Sequence, residues 1–201
     1  MPRLIKKLSL YKALKIGYLR NEKKQAKRLK KYGYVLDKEL TNNQHLVAYS
    51  PFSNKVLFVN NGSQTNILDP TQFVKDWRSN ISAVPTGTFG YTQRFQEDKS
   101  TYLKAKKKYG DKQFELVSHS QGAISINELA KGSDRGYTYN GALIKQKDNP
   151  NVENYRHARD VVSMFSNPND MKTLYTQPNM RTINPLTAHG IDTIKQLPVF
   201  L

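Results

Sequence analysis

The sequence contains no cysteine, which excludes disulfide bonds, thiolate nucleophiles and metal sites built on cysteine. It also lacks any run of about 18 uncharged apolar residues, the length that a membrane-spanning helix requires. The charges near the N-terminus are not followed by the apolar segment of a secretory signal. We therefore expect a protein that is intracellular or packaged in a particle.

Acidic residues are scarce: 16 Asp and Glu stand against 32 Lys and Arg in 201 residues, which gives a net charge of +16. Most of this charge lies in residues 1–31, where twelve basic residues accompany a single acid, Glu22. Apolar residues recur there at steps of three and four, as in an amphipathic helix; they are Leu4, Leu8, Leu14 and, with aromatic rings, Tyr11 and Tyr18. The sequence thus predicts a basic helical extension over 1–33 and a single domain over 34–201.

The basic extension fits four interpretations. Lysines beside Leu, Ile and Tyr on one helix fit an anionic membrane surface. The dense basic run at 23–31 equally fits the phosphates of a nucleic acid. The segment would also serve as an arm docked on a partner protein in a larger assembly, or as a helix packed on the domain through its apolar stripe. The residues alone leave all four open.

From Tyr34 onwards, short apolar runs alternate with helical patterns. The predicted strands are Tyr34–Leu36, Leu46–Tyr49, Lys55–Val59, Phe114–Val117, Tyr137–Ile144 and Asn154–Arg159. The predicted helices are Asp69–Ile81, Phe95–Tyr109, Gln121–Ala130 and a short one near His189–Leu197, within a loop-rich tail that begins at Met164. This alternation predicts an α/β fold of the α/β-hydrolase kind, with a mostly parallel sheet flanked by helices and a site at the carboxyl ends of its strands.

A strand runs directly into Ser118-His119-Ser120-Gln121-Gly122, and a helix follows at once. This is the context of a nucleophile elbow, in which a sharp strand-to-helix turn exposes a serine hydroxyl. The flanking positions must be small, and Gly122 and Ser118 meet that need. The competing interpretation is a serine that caps a helix after a buried strand. We predict that Ser120 is the nucleophile of a serine hydrolase.

A nucleophilic serine needs a base, and the base needs an orienting acid. In this fold class both follow the serine, the acid first. His189, in a loop before the last predicted helix, is the expected base. His45 and His157 have neighbours that indicate simpler roles, and His119 lies inside the elbow and is expected to point away from Ser120. Asp160, after a predicted strand, is the expected acid. Weaker alternatives for the acid are Asp148, Asp170 and Asp192.

Four segments in the same order make the chain resemble the class 3 lipases, α/β-hydrolases that include the fungal triacylglycerol lipases. They lie between Lys55 and Gln196, and they are Phe58–Ser63 with Phe73–Trp77, Phe114–Ala123, Tyr155–Val162 and Ala188–Ile191. The sequence departs from the family pattern at Asn61, where the family has Arg, at Ser118, where it has Gly, and at Gln121, where it has Leu.

The resemblance implies that Ser120 is the nucleophile, Asp160 the acid and His189 the base. It also implies an oxyanion hole made by the backbone N–H groups of Gln121 and Ser63. The expected activity is hydrolysis of carboxylic esters, as by a lipase, phospholipase or esterase, with no metal or cofactor. The alternative is a non-enzymatic structural or nucleic-acid-associated protein, such as a virion component, that is built on the same fold.

Overall fold

The computed structural model describes residues 6–62, 93–142, 149–160 and 172–174, together with 163, 188, 190–195 and 201. Its described part is organised around one sheet of seven strands, whose order in the sheet follows their order in the chain. The strands are β1 (Val35–Leu36), β2 (His45–Tyr49), β3 (Lys55–Asn60), β4 (Gln113–His119), β5 (Arg135–Tyr139), β6 (Val152–His157) and β7 (Lys172–Leu174).

Strands β1 to β3 pair antiparallel, whereas β3 to β7 pair parallel. The register sets Asn60 opposite Ser118, and Ser118 opposite Thr138. The ends of β3, β4 and β5 therefore lie side by side at one edge of the sheet. The predicted mostly parallel sheet is confirmed, and its carboxyl edge is where α/β proteins build their sites.

Helices cover both faces of the sheet, as predicted. The described helices are α1 (Leu10–Gly17), α2 (Glu22–Leu29), α3 (Gln93–Tyr109) and α4 (Gly122–Leu129). On one face, α3 and α4 pack on the alternate residues Phe58, Phe114 and Leu116. On the other, α1 packs on Val59, Val117 and their neighbours. Burial on both faces explains why β3 and β4 read as nearly continuous apolar runs.

The basic N-terminal segment forms two helices rather than one continuous helix. The break follows Gly17, where an added Cβ would lie 2.8 Å from Val59 Cγ1, so the chain passes directly against the sheet. The buried side chain of Gln25 then donates to the backbone oxygen of Leu19 over 2.7 Å. Since six of the eight residues of α1 are buried, its contacts support the interpretation that the apolar stripe packs on the sheet. The division of the chain at residue 33 stays a prediction.

Most predicted strands and helices correspond to observed ones, with three differences in the C-terminal half. The strand predicted for Tyr137–Ile144 is Arg135–Tyr139, because Asn140 turns the chain with a φ of 49°. The tail predicted as loop-rich contributes β7 to the sheet. The short helix predicted near His189–Leu197 is a 3-10 turn at Ile191–Ile194. The helix predicted for Asp69–Ile81 lies outside the described residues.

None of the helices in the described ranges is long and apolar enough to span a bilayer.

Candidate active site

Ser120 occupies the turn between β4 and α4 with a φ of 55°, a left-handed backbone conformation that is uncommon for a residue with a side chain. The turn is held from both sides. The Ser120 N–H donates to the backbone oxygen of Tyr139 over 3.1 Å, and the Ser120 carbonyl accepts from the Ala123 N–H over 3.1 Å. Non-glycine residues keep such a conformation where the surroundings enforce it, which occurs often at functional sites. The structure therefore shows a tight strand-to-helix turn at the predicted position, and the role of Ser120 as a nucleophile stays a prediction.

Small residues are required on both sides of this turn. A Cβ on Gly122 would lie 2.7 Å from the backbone oxygen of Asn60, so glycine allows α4 to approach the end of β3. A Cβ on Gly62 would lie 2.8 Å from Ser120 Cβ. Ser118, at the first flanking position, is fully buried.

Gln121 follows the serine and is the N-cap residue of α4. Backbone N–H groups in the first turn of a helix have no intrahelical acceptor, and they lie at the positive end of the helix dipole. An oxygen that gains negative charge beside Ser120 would be stabilised at this place. The role of the Gln121 N–H as an oxyanion donor stays a prediction, and Ser63, the other predicted donor, lies outside the described residues.

Asp160 lies just beyond β6 and is 1% exposed. Its Oδ2 accepts a hydrogen bond from the Ser163 N–H over 3.0 Å, and its own N–H donates to the His157 backbone oxygen over 3.0 Å. Burial raises the pKa of Tyr139, and the negative charge of Asp160 raises it further. Burial lowers the pKa of His157, although the negative charge of Asp160 acts to raise it. The structure thus places a buried carboxyl group among residues at the ends of β5 and β6, and β5 separates β6 from β4, which leads into Ser120.

His189, the predicted base, lies outside the described residues, but Ala188 and Gly190 on either side of it are described. The Ala188 carbonyl accepts a hydrogen bond from Asn140 Nδ2 over 2.8 Å. The hydroxyls of Thr193 and Tyr139 are 2.6 Å apart. These contacts hold the residues that flank His189 at the carboxyl end of β5.

Among the alternatives for the acid, the structure describes only Asp192. Its side chain is 72% exposed and pairs with Lys15 over 2.9 Å. Asp148 and Asp170 lie outside the described residues. The greater burial of Asp160 at a strand end makes it a better candidate for an orienting acid than Asp192.

Sequence reasoning missed a tyrosine that reaches the elbow from the N-terminal segment. The Tyr18 hydroxyl lies 2.8 Å from His119 Nδ1 and accepts a hydrogen bond from the Gly62 N–H over 2.9 Å. The 101 positions that separate Tyr18 from His119 leave no local signal of this contact. The helical pattern of the sequence identified Tyr18 only as part of an apolar stripe.

Sequence reasoning also missed a buried polar network that contacts the end of β3. Asp98 on α3 is fully buried; its carboxylate accepts from His45 Nε2 over 2.7 Å and from Asn60 Nδ2 over 2.8 Å. Arg94 reaches the same turn by donating to Asn60 Oδ1 over 2.8 Å and to the Asn61 carbonyl. The network fixes the end of β3, which leads into the predicted oxyanion turn.

Comparison with known proteins finds solved lipase structures and nothing at the level of sequence. Neither a family model nor a curated protein matches the chain. The native lipase propeptide complex of Rhizomucor miehei aligns with a TM-score of 0.52 and 17% identity over 78% of this chain and 61% of that one. The Lip2 lipase of Yarrowia lipolytica aligns with a TM-score of 0.48 and 14% identity over 78% and 72%. This chain spans about three fifths of the length of the Rhizomucor miehei protein. The similarity to that structure supports a lipase-like fold.

Proposed function

We propose that this chain, which has a lipase-like fold, is a serine hydrolase of carboxylic esters. The observation that carries the proposal is the left-handed backbone of Ser120, held between β4 and α4 at the carboxyl edge of a parallel sheet. The buried Asp160 near the same edge supports it, as do the contacts that hold Ala188 and thus the chain next to His189. The proposed triad is Ser120, Asp160 and His189.

The proposed reaction is acyl transfer in two steps. The Ser120 hydroxyl oxygen attacks the ester carbonyl while His189 takes the hydroxyl proton, and the N–H groups of Gln121 and Ser63 stabilise the oxyanion. Collapse of this intermediate breaks the ester bond, and His189 returns the proton to the departing alcohol. Water then attacks the acyl-enzyme with the same proton transfers and releases the acid. Asp160 orients His189 and stabilises its protonated form.

Covalent labelling by a fluorophosphonate tests this proposal. We expect the wild-type protein to be labelled at Ser120 and the Ser120→Ala variant to remain unlabelled. Ser133→Ala is the matched control, because Ser133 is exposed at the opposite end of the sheet, and we expect it to be labelled like the wild type. Absence of labelling in the folded wild-type protein, or labelling that persists in Ser120→Ala, would contradict the assignment.

A second proposal concerns the basic surface of α2 and the turn that follows it. Six basic side chains of this surface are exposed: Lys23, Lys24, Lys27, Arg28, Lys30 and Lys31. Within the part of the chain that the structure describes, none of the six forms a salt bridge. Such a surface attracts a polyanion, either an anionic membrane or a nucleic acid. If the partner is a nucleic acid, this basic surface also supports the alternative function, a nucleic-acid-associated protein built on a lipase-like fold. Such a protein could belong to a larger assembly.

Binding by charge-neutralised variants distinguishes these partners. Lys24, Lys27 and Lys31→Gln removes three charges from this surface, and Lys99, Lys104 and Lys107→Gln removes three exposed charges from α3 as the control. We expect only the first variant to lose co-sedimentation with phosphatidylglycerol vesicles or retention of duplex DNA. The ligand that is lost identifies the partner, and unchanged binding of both ligands would contradict the assignment.

A further inference from the structure

Tyr18 joins the two turns that meet at Ser120. Its hydroxyl accepts the Gly62 N–H, and since an amide N–H can only donate, the single hydroxyl hydrogen is available for His119 Nδ1. Burial raises the pKa of Tyr18 to about 12, although the Gly62 N–H and the charge of Arg94 lower it. The phenol therefore keeps its hydrogen at neutral pH and bridges Gly62 to His119.

Both partners of this hydroxyl touch the candidate nucleophile. His119 precedes Ser120 in the chain, and its ring also meets the Tyr18 ring edge-on, with centroids 5.9 Å apart. Gly62 lies so close that a Cβ on it would be 2.8 Å from Ser120 Cβ and 2.9 Å from the His119 carbonyl oxygen. The residue after Gly62 is Ser63, the predicted oxyanion donor. The hydroxyl thus ties the turn after β3 to the elbow after β4.

Tyr18 is itself fixed by the structure around it. The Gly17 carbonyl accepts a hydrogen bond from Asn61 Nδ2 over 3.0 Å, and the Leu19 N–H donates one to the Ile16 carbonyl over 3.1 Å. The peptide groups on both sides of the tyrosine are thus held, one by the turn after β3 and the other by the end of α1. The hydroxyl has little freedom to leave its two partners.

We propose that Tyr18 is a positioning residue, which sets the distance between the turn at Gly62 and the elbow at Ser120 through its bonds to Gly62 and His119. The proposal rests on the ester hydrolase function proposed above. It gives the N-terminal segment a part in catalysis besides any part in binding a polyanion. Because small displacements of preorganised groups act mainly on the transition state, removal of the hydroxyl should lower kcat and leave KM nearly unchanged.

The Tyr18→Phe variant of the full chain removes the hydroxyl and keeps the ring. On a soluble p-nitrophenyl ester we expect kcat to fall by about 10- to 100-fold, with KM within about twofold of the wild type. The rate of fluorophosphonate labelling should fall in parallel. Tyr109→Phe is the control. It removes a hydroxyl that donates to Asp37 over 2.6 Å, at a place remote from the elbow. This variant should leave kcat unchanged.

A double-variant cycle separates positioning from a general loss of structure. If both residues act through their shared hydrogen bond, Tyr18→Phe combined with His119→Gln should lower kcat no further than the more damaging single variant. His119→Gln alone tests the same link if Tyr18→Phe fails to fold, and it should then show the same loss of kcat at constant KM. Wild-type kcat in folded Tyr18→Phe, or additive losses in the double variant, would overturn the role of Tyr18. A wild-type protein without Ser120-dependent labelling would instead overturn the hydrolase function, and the role of Tyr18 with it.

Discussion

The side-chain amide of Asn140 donates a hydrogen bond to the backbone oxygen of Ala188 over 2.8 Å, across 48 positions of the chain. The oxygen of the same amide accepts the His157 N–H over 2.7 Å. Asn140 has a φ of 49°, which asparagine tolerates better than most residues. One side chain therefore connects the end of β5, the end of β6 and the residue before His189.

Replacing this amide by a carboxylate should disturb the proposed base without straining the backbone. In Asn140→Asp a carboxylate oxygen replaces the Nδ2 group that donates to the Ala188 carbonyl, so that two oxygens face each other. The oxygen that accepts the His157 N–H is kept. We expect a loss of about 1–3 kcal/mol in the free energy of unfolding, measured in urea, and a lower kcat. Asn54→Asp makes the same change at an exposed position at the other end of the sheet. Equal stability and kcat in the two variants would contradict this role.

Asp160 and Asp192 can be distinguished by the same substitution at each position. Asp160→Asn removes the buried carboxylate that we propose to orient His189, so kcat should fall by about ten-thousand-fold while the fold is kept. Asp192→Asn removes an exposed ion pair with Lys15, which contributes little to stability or to the site. Esterase rates measured against pH for both variants test the assignment. A large loss of kcat in Asp192→Asn alone would identify Asp192 as the acid.

Gly62 tests whether the turn after β3 must approach the elbow closely. A methyl group at this position would overlap Ser120 Cβ and the His119 carbonyl, so Gly62→Ala should slow fluorophosphonate labelling by at least about tenfold. Gly132→Ala is the control: its φ of +61° costs about 1 kcal/mol, but its Cβ would meet no atom within 4 Å. Labelling of Gly62→Ala at the rate of Gly132→Ala would show that the two turns are not tightly coupled.

The elbow was predictable because its pattern is local: an apolar strand, a serine between small residues and a helix are consecutive in the chain. The contacts that support it are not local. Nothing near Tyr18 indicates His119, and nothing near Asp98 indicates His45, because each pair forms only after the sheet brings distant segments together. The close approach of Gly17 to Val59 likewise forms only in the folded chain. The short strand β7 has too few residues to show a period.

The Asp98 network predicts a specific dependence of stability on pH. Burial alone would raise the pKa of Asp98, but the hydrogen bond from His45 and the charge of Arg94 outweigh it and hold the pKa below its ordinary value of 3.8. A carboxyl group whose pKa is lower in the folded state stabilises the protein fully above the unfolded pKa. That contribution is lost as the pH falls through the folded pKa.

Asp98→Asn should therefore be less stable than the wild type by roughly 3–5 kcal/mol at pH 7, because His45 and Arg94 lose their buried acceptor. The difference should shrink as the pH falls below about pH 4. Asp37 and Asp192, whose pKa values are also lowered, lose their contributions equally in both proteins and cancel in the comparison. Urea denaturation at several pH values measures the difference, with the exposed Asp111→Asn as the control. A difference that stays constant down to pH 3 would show that the charge of Asp98 does not stabilise the fold.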